Sequence, residues 1–167
     1  MKTIRIKNIT KLLMCLGLII TFSACENKPD YKTVRKEVMD MHDKLMMDGE
    51  LAIRNKMSLD TMLGTGLKKM KLSDPKLDTL IEKQYITSLI KKLNDADESM
   101  MDWMQVFKPE IDGKSNEAAI KYFQEEKIKL VKMDSVFKSA LGQSDSYLKK
   151  YKVNKQDAPV EHAGHKH

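Results

Sequence analysis

The chain has 167 residues, 32% of them charged and 6% aromatic, with two cysteines and a formal net charge of +6. Four of its 30 basic residues (Lys2, Arg5, Lys7 and Lys11) fall in the first 24 positions, and the remaining 26 face 24 acidic residues, so the rest is nearly neutral at about +2. With no basic block and no interleaved aromatics, nucleic-acid binding has no basis. The 143 residues from Cys25 onward suffice for one domain with a real core.

The N-terminus reads as a secretion signal over 1–24. Basic residues precede an apolar run from Leu12 to Phe22, then the small residues Ser23 and Ala24, then Cys25. The run is too short to span a bilayer comfortably. "TFSAC" resembles a lipobox, with Phe22 where leucine is usual, which makes Cys25 the lipidated N-terminus of the mature chain. Cys15 is the poorer candidate, because bulky Met14 precedes it. With Cys25 acylated, no free thiol remains for disulfides or thiolate metal sites. Glu26 rather than Asp follows the cysteine. By analogy with lipoprotein sorting, this favours an outer-membrane, lipid-anchored protein that faces the periplasm.

Residues 25–29 form a short lipidated tether. From Tyr31 to Tyr151 the chain is rich in Lys, Glu, Leu, Met, Asp and Ile, without β-branched alternation, which argues for helices. "LSDPK" at 72–76 supplies the first break, with Asp74 as N-cap and Pro75 at the first helical position. "KPEIDGKSN" at 108–116 supplies the second. Three segments follow, about 30–72, 75–107 and 115–151. Short connections between them predict an all-α, up-down-up antiparallel three-helix bundle over 30–151. Four helices are the alternative, if the first breaks near Gly64–Gly66.

Each segment carries a seam at spacing three and four. The first reads Val34, Val38, Met41, Leu45, a weak middle at Asp48 and Ala52, then Leu59, Met62 and Met70. The second reads Leu89, Leu93, Ala96, Met100, Trp103 and Phe107. Its early residues Leu77, Ile81 and Tyr85 follow a shifted phase, which predicts a stutter. The third reads Ala119, Phe123, Leu130, Met133, Phe137, Ala140, Tyr147 and Tyr151. Residues 152–167 have no apolar period and read as a disordered tail. Its His162, His165 and His167 offer weak chelation of Cu(II), Ni(II) or Zn(II).

Two of the 13 methionines lie in the signal, and many of the other eleven fit the core. With Val38 and Leu45 at heptad a and Met41 at d, His42 falls at e and Met39 and Met46 at b. With Leu93 and Met100 at a and Trp103 at d, Met104 falls at e and Met101 at b. The first connection is centred near residue 73 or 74, so residues whose numbers sum to about 147 lie level. His42 then meets Met104 across the seam, with Met46 and Met101 close by and Trp103 just inside. Thioether and imidazole suit Cu(I), and an indole face adds a cation–π contribution. The set looks like that of certain periplasmic copper chaperones, which are small β-barrels. A Met and aromatic stripe at helical spacing is usually core, so ordinary packing is the reading that the metal site must displace.

"VMDMHDKLM" (38–46) and "ADESMMDWMQVF" (96–107) resemble a group of small Bacteroidota helical lipoproteins that often carry the automatic label "viral A-type inclusion protein". Their sequences read like V-M-x-x-H-D-x-x-M, then A-D-x-x-M-M-x-W-M-x-x-F. The resemblance covers both motifs and the three-segment layout, and it implies an anchored helical protein without catalytic activity. Its recurrent positions are His42, Asp43, Met46, Asp97, Met100, Met101, Trp103 and Met104.

Catalysis finds little support: no Gly-rich phosphate loop and no nucleophile elbow occur. Two functions remain. One is a periplasmic soft-metal binder using His42, Met46, Met101 and Met104, with Trp103, Met39 and Asp43 adjacent. Asp43 would orient the imidazole. It requires no cofactor beyond the Cu(I) it would carry. The other is a structural lipoprotein whose bundle docks an envelope protein.

Overall fold

The structure, a computed structural model, describes residues 30–153. The signal, Cys25, the tether and the tail histidines His162, His165 and His167 lie outside the described residues. Helix α1 runs Tyr31–Thr61, a π-helical turn follows at Met62–Gly66, and α2 continues at Leu67–Ser73. Helix α3 runs Thr79–Val106 and α4 runs Asn116–Lys150. The fold is an all-α bundle of three long helices, the first being α1 and α2 joined through the π turn. None of the described helices is long and apolar enough to cross a membrane.

The helix starts follow from side-chain caps. The Asp30 carboxylate accepts from the Lys32 amide, Asp78 from Leu80 and Ile81, and Ser115 from Ala118. The second cap corrects the sequence expectation. Asp74 and Pro75 do not open α3; they form a turn closed by the Leu77 amide on the Asp74 carbonyl at 3.0 Å. Lys71 holds that turn through the Pro75 and Leu77 carbonyls. In the second connection Gly113 takes φ of +75°, a conformation that favours glycine.

Cross-helix pairs fix the directions. Glu37 meets Lys127, Lys44 meets Asp134 and Asn55 meets Ser144, so α1 and α4 run parallel. His42 meets Met104, and a Cβ added at Gly49 would touch Asp97, so α3 runs antiparallel to α1. Both pairs sum to 146, one residue from the register read from the loop position.

The core holds Val38, Leu45, Leu59, Ile86, Leu89, Leu93, Phe123, Leu130 and Phe137, all at 1% exposure or less. Each contributes roughly 1.5–3 kcal/mol by leaving water. Two seam expectations need correction. No stutter occurs in α3, because Glu82 and Ile86 continue the phase of Leu89 and Leu93 toward the helix start. Ile81 and Tyr85 accordingly face outward. The "GTG" segment, where the alternative placed a break, divides the first helix into the two α segments α1 and α2 without a loop between them. The backbone stays helical through Met62–Gly66 and gains one residue per turn there, which shifts the seam to Leu67. Met41 and Met133 pack against the core half-buried rather than inside it.

Candidate soft-cation site

His42 and Met104 lie on facing flanks of α1 and α3. The His42 Nε2 atom stands 3.4 Å from the Met104 sulfur. The imidazole is largely covered, with its side chain 12% exposed. On the other edge, Nδ1 lies 3.0 Å from a carboxylate oxygen of Asp43. A carboxylate accepts, so this contact places the proton on Nδ1 and leaves a lone pair on Nε2 in the neutral ring. In that tautomer Nε2 and the thioether are two soft-metal donors side by side; in the other, the ring N–H donates to the sulfur. Two bonds of about 2.0 Å to nitrogen and 2.3 Å to sulfur at a tetrahedral angle give a separation of roughly 3.5 Å. The observed spacing is that of two donors able to share one ion.

Trp103 forms the inner wall. Its ring centre is 5.8 Å from that of His42 and 4.3 Å from that of Phe107, on which it stacks. The indole is 4% exposed, and its N–H donates to Glu126 at 2.7 Å. Glu126 is itself buried at 5% and also accepts from Lys129 at 2.8 Å. The ring is thus fixed at its edge by a carboxylate and across its face by Phe107.

The other expected residues are placed differently. Met46 and Met101 are exposed on the outer flank, at 37% and 49%. Met39 is half-buried and lines a shallow cleft with Tyr31, Arg35 and Ile111. Asp43 is bonded to the imidazole as expected. Among the described residues, no three His, Cys, Asp or Glu side chains converge as a ligand set; the donors that meet here are an imidazole and a thioether.

Glu126 was not among the candidates, yet its spacing was readable. It lies three after Phe123 and four before Leu130, at a seam position. Two more polar layers follow the same rule. The buried Asn55 amide donates to Ser144 at 2.8 Å and Asp145 at 2.5 Å. Glu82 accepts from the hydroxyls of Tyr147 and Tyr151 at 2.6 and 2.7 Å. Burial alone would raise the Glu82 carboxyl, but the two tyrosine donors and Lys150 outweigh it and hold it below its ordinary value. Burial, and after it the same contact with Glu82, push the Tyr147 phenol well up.

No family model matches this chain, and neither the curated proteins nor the solved structures yield a match.

Proposed function

We propose that this protein is a lipid-anchored lipoprotein of the outer membrane that binds one soft cation, Cu(I), without catalysing a reaction. His42 and Met104 are the ligands that hold the ion, whereas Met46 and Met101, expected as ligands from the sequence, are exposed thioethers on the outer flank beside that pair. Trp103 lies beside the ion and reports on it. The observation that carries this reading is the 3.4 Å separation of His42 Nε2 and the Met104 sulfur. Asp43 supports it by keeping the proton on the far nitrogen. The likeness of the two motifs to the Bacteroidota lipoprotein group agrees with an anchored helical protein.

The test is a Cu(I) titration under anaerobic, reducing conditions, read by Trp103 emission. Quenching should saturate near one equivalent. It should vanish in a His42→Ala, Met104→Leu double variant and survive removal of residues 154–167. Emission that stays constant across the titration rules the reading out.

Exposed apolar side chains favour a second reading, docking of an envelope protein partner. Met47 and Leu51 on α1, Ile81 and Tyr85 on α3, and Ile128 and Val131 on α4 all face outward. In that case stability is indifferent to copper, and the anchored protein co-purifies with a partner from envelope extracts.

A further inference from the structure

Resting on the soft-cation reading, we propose that Met46 and Met101 form an outer thioether pair that captures the ion from solution and passes it to the inner His42–Met104 pair. The register places them. His42 with Met104 and Gly49 with Asp97 both sum to 146, so Met46 and Met101, at 147, lie level across the same seam.

Helical geometry gives their direction. Met46 is one turn beyond His42, about 6 Å along the axis and rotated about 40° away from the core. Met101 is three residues before Met104, about 4.5 Å along and rotated about 60° outward. Both rotations open to the same side. Exposure follows the same order, since Met46 and Met101 are exposed whereas Met104 is half-buried and His42 nearly covered. Gly49 stands one turn beyond Met46, where it adds no side chain against the outer pair. The nearest atom to a Cβ there would be an Asp97 carboxylate oxygen at 3.8 Å.

Charge draws a cation to this flank. Asp43, Asp97 and Glu98, with Glu50 shared with Arg54 at 3.9 Å, lie on the helix stretches that carry the outer pair, and no Lys or Arg occurs between Lys92 and Lys108. Lys44, the one basic residue on the facing stretch of α1, is engaged by Asp48 and Asp134 at 2.6 Å each. A locally acidic flank on a nearly neutral chain raises the cation concentration near it. The transfer itself is ligand exchange. Each new Cu–S or Cu–N bond replaces one to the previous ligand, and no electron changes hands.

The test is stopped-flow mixing of the full bundle with Cu(I) supplied as its acetonitrile complex, followed by Trp103 emission. Met46→Leu with Met101→Leu keeps volume and apolar character at exposed positions, and circular dichroism verifies its fold. Loading should slow by about tenfold while the final quench and stoichiometry persist, and wild-type loading should slow as salt rises. Loading of the double variant at the wild-type rate overturns the relay and leaves the inner site standing. Loss of equilibrium binding in that variant also overturns it, by making both residues permanent ligands. Absence of any quench in the wild type removes the underlying reading as well.

Discussion

Replacing Glu126 tests how the indole is held. Its carboxylate accepts the Trp103 N–H at 2.7 Å and the Lys129 ammonium at 2.8 Å, in a seam position 5% exposed. Glu126→Ala leaves the Trp103 N–H without its acceptor in a setting 4% exposed. An orphaned buried donor costs about 1–3 kcal/mol. The small void left by the side chain adds to that cost. Glu126→Gln keeps an acceptor and loses only the charge assistance, about 1 kcal/mol. The alanine variant should therefore lose ~2–3 kcal/mol. For a bundle near 120 residues this lowers Tm by roughly 10 °C. The assay is urea unfolding followed by helical circular dichroism, run as a cycle with Trp103→Phe. The two substitutions should couple by about 1–2 kcal/mol, because either one removes the same hydrogen bond. Coupling below about 0.3 kcal/mol would show that Glu126 and the indole are neighbours without an energetic tie. The account of why the ring stays beside His42 would then fail.

Glu82 should shape the acid limb of stability. Its folded carboxyl is held below its ordinary value, so its contribution is present above the unfolded carboxylate range and is lost as pH falls through the folded value. Glu82→Gln should flatten the fall of urea midpoints between about pH 7 and 3. A residual slope should remain from Asp134, which Lys138 and Lys44 hold low in the same way. A Glu82→Gln profile parallel to wild type would contradict this. Gly49→Ala should stabilise the bundle by about 0.5–1 kcal/mol, since the helix gains a better former and the added Cβ meets its nearest neighbour only at ordinary contact distance. A lower urea midpoint would mean that the seam is tighter there than the structure shows. Asp43→Ala should weaken Cu(I) binding about tenfold by releasing the imidazole. Its side chain is 68% exposed, so stability should stay within about 0.5 kcal/mol; equal Cu(I) affinity in a competition titration would deny Asp43 an orienting role.

Heptad phase and loop position together brought His42 and Met104 face to face, because the register error was one residue and both side chains are long enough to absorb it. The helix boundaries were less legible. "SDP" offered a cap and a first-turn proline, but Asp78 supplied a second cap four residues later. Asp78 won because its carboxylate reaches two free amides, Leu80 and Ile81. The phase of early α3 was misjudged for a different reason. Ile81 and Tyr85 are apolar and Glu82 is not, so an apolar count chose the wrong face. What puts Glu82 inside is a pair of tyrosine hydroxyls, Tyr147 on α4 and Tyr151 at its C-cap, more than sixty residues away. Glu126 and Asn55 were overlooked likewise. A polar residue at a seam position declares itself only once its partner on another helix is known.

The three polar layers also bear on the site. A seam built only of aliphatic side chains tolerates sliding and rotation of one helix against another, because apolar contacts are non-directional. Hydrogen bonds at Glu126, Asn55 and Glu82 are directional, and each ties α4 to a different level of α1 or α3. Rotation of α3 by a fraction of a turn would carry the Met104 sulfur away from His42, and it would also break the bond from Trp103 to Glu126 one residue earlier. The His42–Met104 pair is therefore positioned by the fold itself, so on the proposed reading little ordering cost would fall on binding. Met46 and Met101 are exposed on the outer flank, away from these layers, which is where the proposed relay would need them.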